Sequence, residues 1–211
     1  VDMKLALVLF SALVISLTVH EFAHAYVADR LGDRTPSDHG RLTLNPMVLF
    51  KAHPFGSLVV PLLAALNGFM IGWAATPVNP TQVRRTITLR KAEFLISVAG
   101  PVSNVLLGLL SAGIFMVLVA LDNPSLAPLV DLSRFMVIAN VILALLNIMP
   151  IPPLDGFTVL RTTMPHSKAL PFIEQYQLIL LILFFMYAGD IFYPIMIFVH
   201  QQLESLRMIA M

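Results

Sequence analysis

His20, Glu21 and His24 form the pattern H-E-x-x-H. On a helix the two histidines lie one turn apart on the same face, so both imidazoles reach one metal ion, with the glutamate beside them. That is the usual ligand pair and general base of a zinc hydrolase. The setting is unusual, because residues 5–19 (LALVLFSALVISLTV) carry no charge and run straight into the motif. Ionisable groups at membrane depth cost roughly 2.5–3.5 kcal/mol each on insertion scales, so they are functional candidates by default.

A catalytic zinc takes three protein ligands and leaves one position for water. Asp155 is the candidate for the third, being the one carboxylate at the end of the uncharged stretch 135–154, in N-I-M-P-I-P-P-L-D-G (147–156). Pro150, Pro152 and Pro153 interrupt a helix there and leave carbonyls without N–H partners. Irregular backbone at membrane depth is expected beside a cavity. Asp155 as a plain helix cap is the bland alternative. The extended metzincin pattern is absent, since Val27 and Arg30 stand where it needs glycine and histidine. Asp29 and Asp33 are expected to close the helix in solvent. His39, His53, His166 and His200 lie in or near polar connections, and His53, at the start of an apolar stretch, is the strongest of these secondary candidates.

The elements that must position these residues follow from composition. Hydrophobic residues are 58% and charged residues 12% of the 211, against about 45–50% and 25% in soluble domains. The fold class expected is an all-α integral membrane protein. A net charge of +1 without basic runs gives no reason to expect a nucleic-acid partner. With no cysteine there is no disulfide framework. The first apolar segment leads into the metal motif rather than a small-residue cleavage site, and it reads as a retained helix.

Stretches free of Asp, Glu, Lys and Arg cover 5–20, 55–83, 94–121, 135–154 and 175–189, each near the ~20 residues that cross a bilayer. About four to six transmembrane helices are therefore expected. They would form one polytopic domain over 1–211, with a metal core at about 5–160 and additional hydrophobic helices at about 172–208. Asp190, followed by Pro194, is expected to mark a break in the last of these.

If 55–78, rich in glycine and proline, dips in and returns, the basic residues divide unequally. Arg30, Arg34, Arg41, Lys51, Arg84, Arg85, Arg90, Lys91, Arg161 and Lys168 then share one side, and only Lys4, Arg134 and Arg207 the other. Excess basic residues mark the cytoplasmic side, so a re-entrant segment is preferred to a fifth crossing. The motif then lies ~22 Å along the first helix, in the inner part of the bilayer.

These motifs together resemble the site-2 proteases, which are intramembrane zinc metalloproteases. The resemblance rests on H20-E-F-A-H24, A-x-x-A-D-R-L-G-D, L44-N-P, G72-W-A, P77-V-N-P, A99-G-P-V-S-N104 and N147-I-M-P-I-P-P-L-D155-G. It covers about residues 13–160 and points to the small group without PDZ or CBS domains. It implies one zinc per chain on His20, His24 and Asp155, with Glu21 as catalytic base. It also implies substrate-handling roles for Asn104 and Asn147, either of which is polar enough to donate to an oxyanion. The substrate would be a transmembrane protein or peptide, cut within or near its membrane helix. The location implied is a prokaryotic cytoplasmic membrane, with the active site towards the cytoplasm. Short strand edges near 42–44 or 71–79 are expected to hold an unwound substrate by β-addition.

Three rivals remain. An aspartyl intramembrane protease would use Asp155 and Asp190, but Y-A-G-D (187–190) lacks the first glycine of G-x-G-D and leaves the H-E-x-x-H unused. The rhomboid serine motif G-x-S-G is absent. A non-enzymatic metal transporter or channel would line a path with His and Asp, and it would have no need of Glu21.

Overall fold

The long helices are apolar runs, and two of them begin at side-chain caps, Asp2 for Met3–Leu31 and Thr88 for Leu89–Ala120. In the computed structural model, which describes residues 2–210, α1 (Met3–Leu31) begins at Asp2, whose carboxylate accepts the Lys4 N–H at 2.9 Å. It ends at Gly32, which takes the left-handed φ of +109° that side chains rarely adopt. A Cβ on Gly32 would also meet the Arg84 backbone nitrogen at 3.1 Å. That close approach is used, because the Arg84 N–H donates to the Leu31 carbonyl at 2.9 Å. The chain returning from 67–83 is thereby tied to the end of α1.

Two short helices follow, α2 (Thr35–Asp38) and α3 (Pro46–Ala52). The apolar α4 (Phe55–Leu66) opens with a π-turn. At ~1.5 Å per residue it is ~18 Å long, too short to cross ~30 Å of hydrocarbon. Next come α5 (Leu89–Ala120), capped by the Thr88 hydroxyl, and α6 (Ala127–Ile148). The last three helices are α7 (Asp155–Thr163), α8 (Ala169–Gln175) and α9 (Gln177–Ala210). Among the described residues, α1, α5, α6 with its preceding turn, and α9 are long and apolar enough to span. The chain is a multi-pass helical membrane protein.

Helices α1, α5 and α6 form the central bundle. Lipid is as apolar as leucine, so close packing and polar contacts hold membrane helices together. Small side chains permit the approach, with Ala12, Ala25, Ala28 and Ala92 fully buried. One apolar cluster joins Leu13 and Leu17 of α1 to Leu49 and Leu143, with Met70 and Ala74 against it. A second, at the far end, joins Phe115, Val137 and Leu203, so α9 is held there.

Two expectations are corrected. The β structure expected in the 55–78 segment is not found, since no strand occurs among the described residues. Residues 67–79 leave α4 as irregular chain, and 41–44 make a bend with Thr43 N–H bonded to the Arg41 carbonyl at 2.8 Å. The glycines and prolines do interrupt the helix, but a ladder also needs a second extended segment alongside. The backbone tie found here is a single bond from Trp73 N–H to the Gly56 carbonyl at 2.9 Å. The break expected at Asp190 is also absent, because α9 runs through Asp190 and Pro194. Pro194 removes the hydrogen bond that Asp190's carbonyl would accept and crowds that carbonyl, yet the helix of 34 residues continues past it.

Candidate active site

His20 and His24 project from the C-terminal half of α1, and Asp155 is the first residue of α7. Proline after proline at 150–153 stops α6, and Gly156 lets the restarted helix press against the end of α6. A Cβ at Gly156 would run into the carbonyls of Ile148 and Met149. Arg90 of α5 clamps the other end of α7, donating to the carbonyls of Thr162 and, at 2.9 Å, Thr163.

The result is a small triangle of ligand atoms. His20 Nε2 and His24 Nε2 are 3.0 Å apart, and each is 3.3 Å from Asp155 Oδ2. Ligand atoms ~2.0–2.1 Å from a tetrahedral zinc lie about 3.3 Å from one another, so the spacing fits. Proton placement fits as well. His24 Nδ1 faces the Ile96 carbonyl at 2.7 Å, and His20 Nδ1 faces Asn104 Oδ1 at 2.6 Å. Both partners only accept, so each Nδ1 carries a proton and each Nε2 is the ring atom turned inward. Asp155 Oδ2 is buried and has no hydrogen-bond donor. Three potential ligand atoms thus converge within 3.3 Å of one another, an arrangement that suits a bound cation.

Gly100 of α5 lies directly behind the rings. A Cβ there would collide with His20 Cε1 and His24 Nε2. The glycine of A-G-P-V-S-N is therefore required by close approach to both histidines.

Glu21 is buried and lines the same cavity of about 370 Å³, together with Ala74, Thr76, Ser97, Asn147, Pro153 and Asp155. The Thr76 hydroxyl donates to Glu21 Oε2 at 2.7 Å, and among the described residues no side chain engages Oε1. Glu93 and Arg161 also line the cavity and pair at 3.4 Å.

The two asparagines differ. Asn147 lines the cavity and donates to the Leu143 carbonyl of its own helix at 3.0 Å. Asn104 does not line it. It is fully buried, with Oδ1 taken by His20 and Nδ2 by Asn140 at 2.9 Å. Asn104 thus lies behind His20 rather than on the cavity wall.

Asp33 is likewise not in solvent. It is fully buried and accepts the N–H of Thr35 at 2.9 Å and that of Asn79, which anchors the 76–84 connection under α1. His53 Nε2 is spent on the Ala75 carbonyl at 2.8 Å. Among the described residues, His20, His24 and Asp155 are the one group of three or more His, Asp or Glu side chains close enough to share an ion. Asp190 does not line the cavity. Thr76, Asn140 and Asp33 were missed by sequence reasoning. Thr76 had a faint signal in its position next to P77-V-N-P, and the other two had none.

A helical bundle that buries a His–His–Asp triangle and a neighbouring glutamate defines the class of membrane metalloprotease-like proteins. The comparisons specify it further. Over 158 residues the chain is 38% identical to YwhC of Bacillus subtilis, covering 72% of this chain and 67% of that one. It is 34% identical over 182 residues to Rip2 of Mycobacterium tuberculosis (82% and 64% covered) and 35% over 154 residues to Rip2 of Mycolicibacterium smegmatis (72% and 54%). All are named zinc metalloproteases, a description that for each is itself provisional. The chain belongs to the site-2 protease family. It spans about two thirds of YwhC and a smaller share of the Rip2 proteins. No protein-family profile matches the chain, and no solved structure matches it.

Proposed function

We infer that the chain is an intramembrane zinc endopeptidase, a single membrane protease domain that cuts membrane proteins within or near their transmembrane helices. The observation that carries this reading is the buried triangle of His20 Nε2, His24 Nε2 and Asp155 Oδ2 beside Glu21. His20, His24 and Asp155 would hold one zinc ion, which supplies Lewis acidity towards a water and the scissile carbonyl.

Every other role falls to the chain's own residues. Glu21 takes a proton from the attacking water and returns it to the departing amine. Thr76 holds Glu21 Oε2, so the free Oε1 is the atom that carries that proton. Asn147, on the cavity wall, is the candidate donor to the oxyanion. A substrate helix has no free backbone groups, so it must unwind before attack. The non-helical run Ala74–Val78 lines the cavity, with its side chains only partly buried, and offers the unwound segment a place to lie.

The side of the membrane follows from charge. Arg30, Arg34, Arg84, Arg85, Arg90 and Lys91 flank the end of the bundle where Leu31 meets Arg84, while Lys4, Arg134 and Arg207 lie on the segments leading to the other end. That asymmetry supports an active site towards the cytoplasm of a prokaryotic cell membrane.

The test is zinc per chain in detergent-purified protein, beside cleavage of a transmembrane peptide, for the native chain, Asp155→Ala and Glu21→Gln. About one zinc in the native and Glu21→Gln forms is expected, with retention lost in Asp155→Ala. Cleavage in Glu21→Gln should fall by about 10²–10⁴-fold. Zinc indifferent to Asp155, or cleavage indifferent to Glu21, would overturn the reading in favour of a metal transporter.

A further inference from the structure

The centre of the bundle holds a polar chain that no apolar packing requires. Ser16 of α1, Asn104 of α5 and Asn140 of α6 are each 0% exposed. Asn140 Nδ2 donates to Ser16 Oγ at 2.9 Å and to the Met136 carbonyl at 2.8 Å. Asn140 Oδ1 accepts from Asn104 Nδ2 at 2.9 Å, and Asn104 Oδ1 meets His20 Nδ1 at 2.6 Å. Ser16 spends its own proton on the Ala12 carbonyl at 2.8 Å. Three spanning helices are joined through four side chains.

The direction of this chain is not free. A backbone carbonyl only accepts, so the Asn140 atom facing Met136 must be the amide nitrogen. Ser16, its hydrogen committed to Ala12, presents a lone pair to the same nitrogen. Asn140 therefore cannot flip, and its oxygen faces Asn104. Asn104 must answer with its nitrogen, which turns its oxygen to His20. An oxygen at 2.6 Å demands the proton on Nδ1, and in the neutral ring that a metal ligand must be, it leaves Nε2 bare. Two acceptor carbonyls deep in α1 and α6 thus decide which nitrogen of His20 can bind a cation.

We propose that Asn140 and Ser16 are positioning residues, forming with Asn104 a directional relay that fixes the tautomer of His20 as a metal ligand. Without Asn140, Asn104 loses the partner that sets its orientation. Its amide can turn, offering Nδ2 to His20, which then carries its proton on Nε2 and cannot ligate. Outer partners of metal-bound histidines typically change metal affinity by about 10–100-fold when removed. A relay further predicts that two of its links fail as one.

The test compares native protein, Asn140→Ala, Asn104→Ala, the double variant and Val137→Ala. Val137 is a buried neighbour one turn away on α6 that makes no polar contact and controls for loosened packing. The first readout is the nitrogen NMR spectrum of the His20 ring in metal-free, nitrogen-15-labelled protein in nanodiscs. A single Nδ1–H tautomer is expected for the native chain and Val137→Ala, and mixed tautomers for Asn140→Ala. The second is zinc affinity by competition with a chelator, where Asn140→Ala should weaken binding about tenfold and the double variant should match Asn104→Ala. An unchanged tautomer in Asn140→Ala, additive losses in the double variant, or an equal loss in Val137→Ala would overturn the relay. The zinc arm rests on the protease reading, whereas the tautomer is read without metal. A native chain that binds no zinc but keeps one His20 tautomer would therefore defeat that reading and not the relay.

Discussion

His20 and His24 are the same side chain one helical turn apart, yet they are held by different means. His24 Nδ1 meets a backbone carbonyl, that of Ile96, in a single contact. His20 Nδ1 reaches a backbone carbonyl only through Asn104 and Asn140. The first arrangement cannot be removed by substituting a side chain, and the second can be cut at Asn104 or at Asn140. A carbonyl fixes a tautomer by itself, because it has no donor to offer in exchange. An asparagine can present either end and needs a further constraint. The site therefore has one arm built into the backbone of α5 and one arm that depends on sequence in three helices.

Variants of graded severity separate the arms. Gly100→Ala strikes both, since its Cβ would collide with each ring. Alanine is the better helix former by about 1 kcal/mol, so a site intact after this change would contradict the packing described. Zinc affinity in the chelator assay is expected to fall by more than about 100-fold, the upper end of what outer-shell changes cause. Asn104→Leu removes only the His20 arm, and a loss of about 10–100-fold is expected with the His24 ring nitrogen signals unmoved. A shift in both rings would mean that the arms are not independent.

Thr76→Val lies outside both arms. It frees Glu21 Oε2 while leaving every ligand contact in place, so zinc should stay at the native level. Peptide cleavage should drop about tenfold, as expected for losing one hydrogen bond to a charged group. Equal loss of zinc would mean that Thr76 supports the metal site rather than the base. The smallest effect is expected for Ser16→Ala, because the Met136 carbonyl still holds Asn140. A change of less than about threefold in zinc affinity would leave Met136 as the main anchor, and a larger one would move that role to Ser16.

How far the chain could be read in advance depended on distance along it. His20, Glu21 and His24 share one helical turn, so their grouping follows from the pitch alone. Asp155 could be found because it is a lone carboxylate among prolines, placed where an apolar run ends and a helix must break. Asn104 was legible as important but not in its role. An asparagine in an apolar helix looks the same whether it faces a cavity or a buried neighbour. The glycines and prolines of 55–80 correctly announced interrupted helix, yet they carried no information about whether a second extended segment would lie alongside. The expected strand accordingly did not form. Asp33, near Arg30 and Arg34, reads as a solvent residue until Asn79 is brought against it.

The sequence by itself determined the membrane class and located the four long apolar segments, and it singled out four residues as candidates for zinc and proton transfer. Each is a matter of composition or of spacing within one element. Only the tertiary structure decided that Asp155 Oδ2 lies 3.3 Å from both imidazole nitrogens, that Gly100 backs them, and that Thr76 holds Glu21. It alone decided that Ser16, Asn140 and Asn104 meet behind His20. These contacts join positions 36 to 124 residues apart, and helical periodicity fixes which face a side chain occupies but not which helix packs against that face.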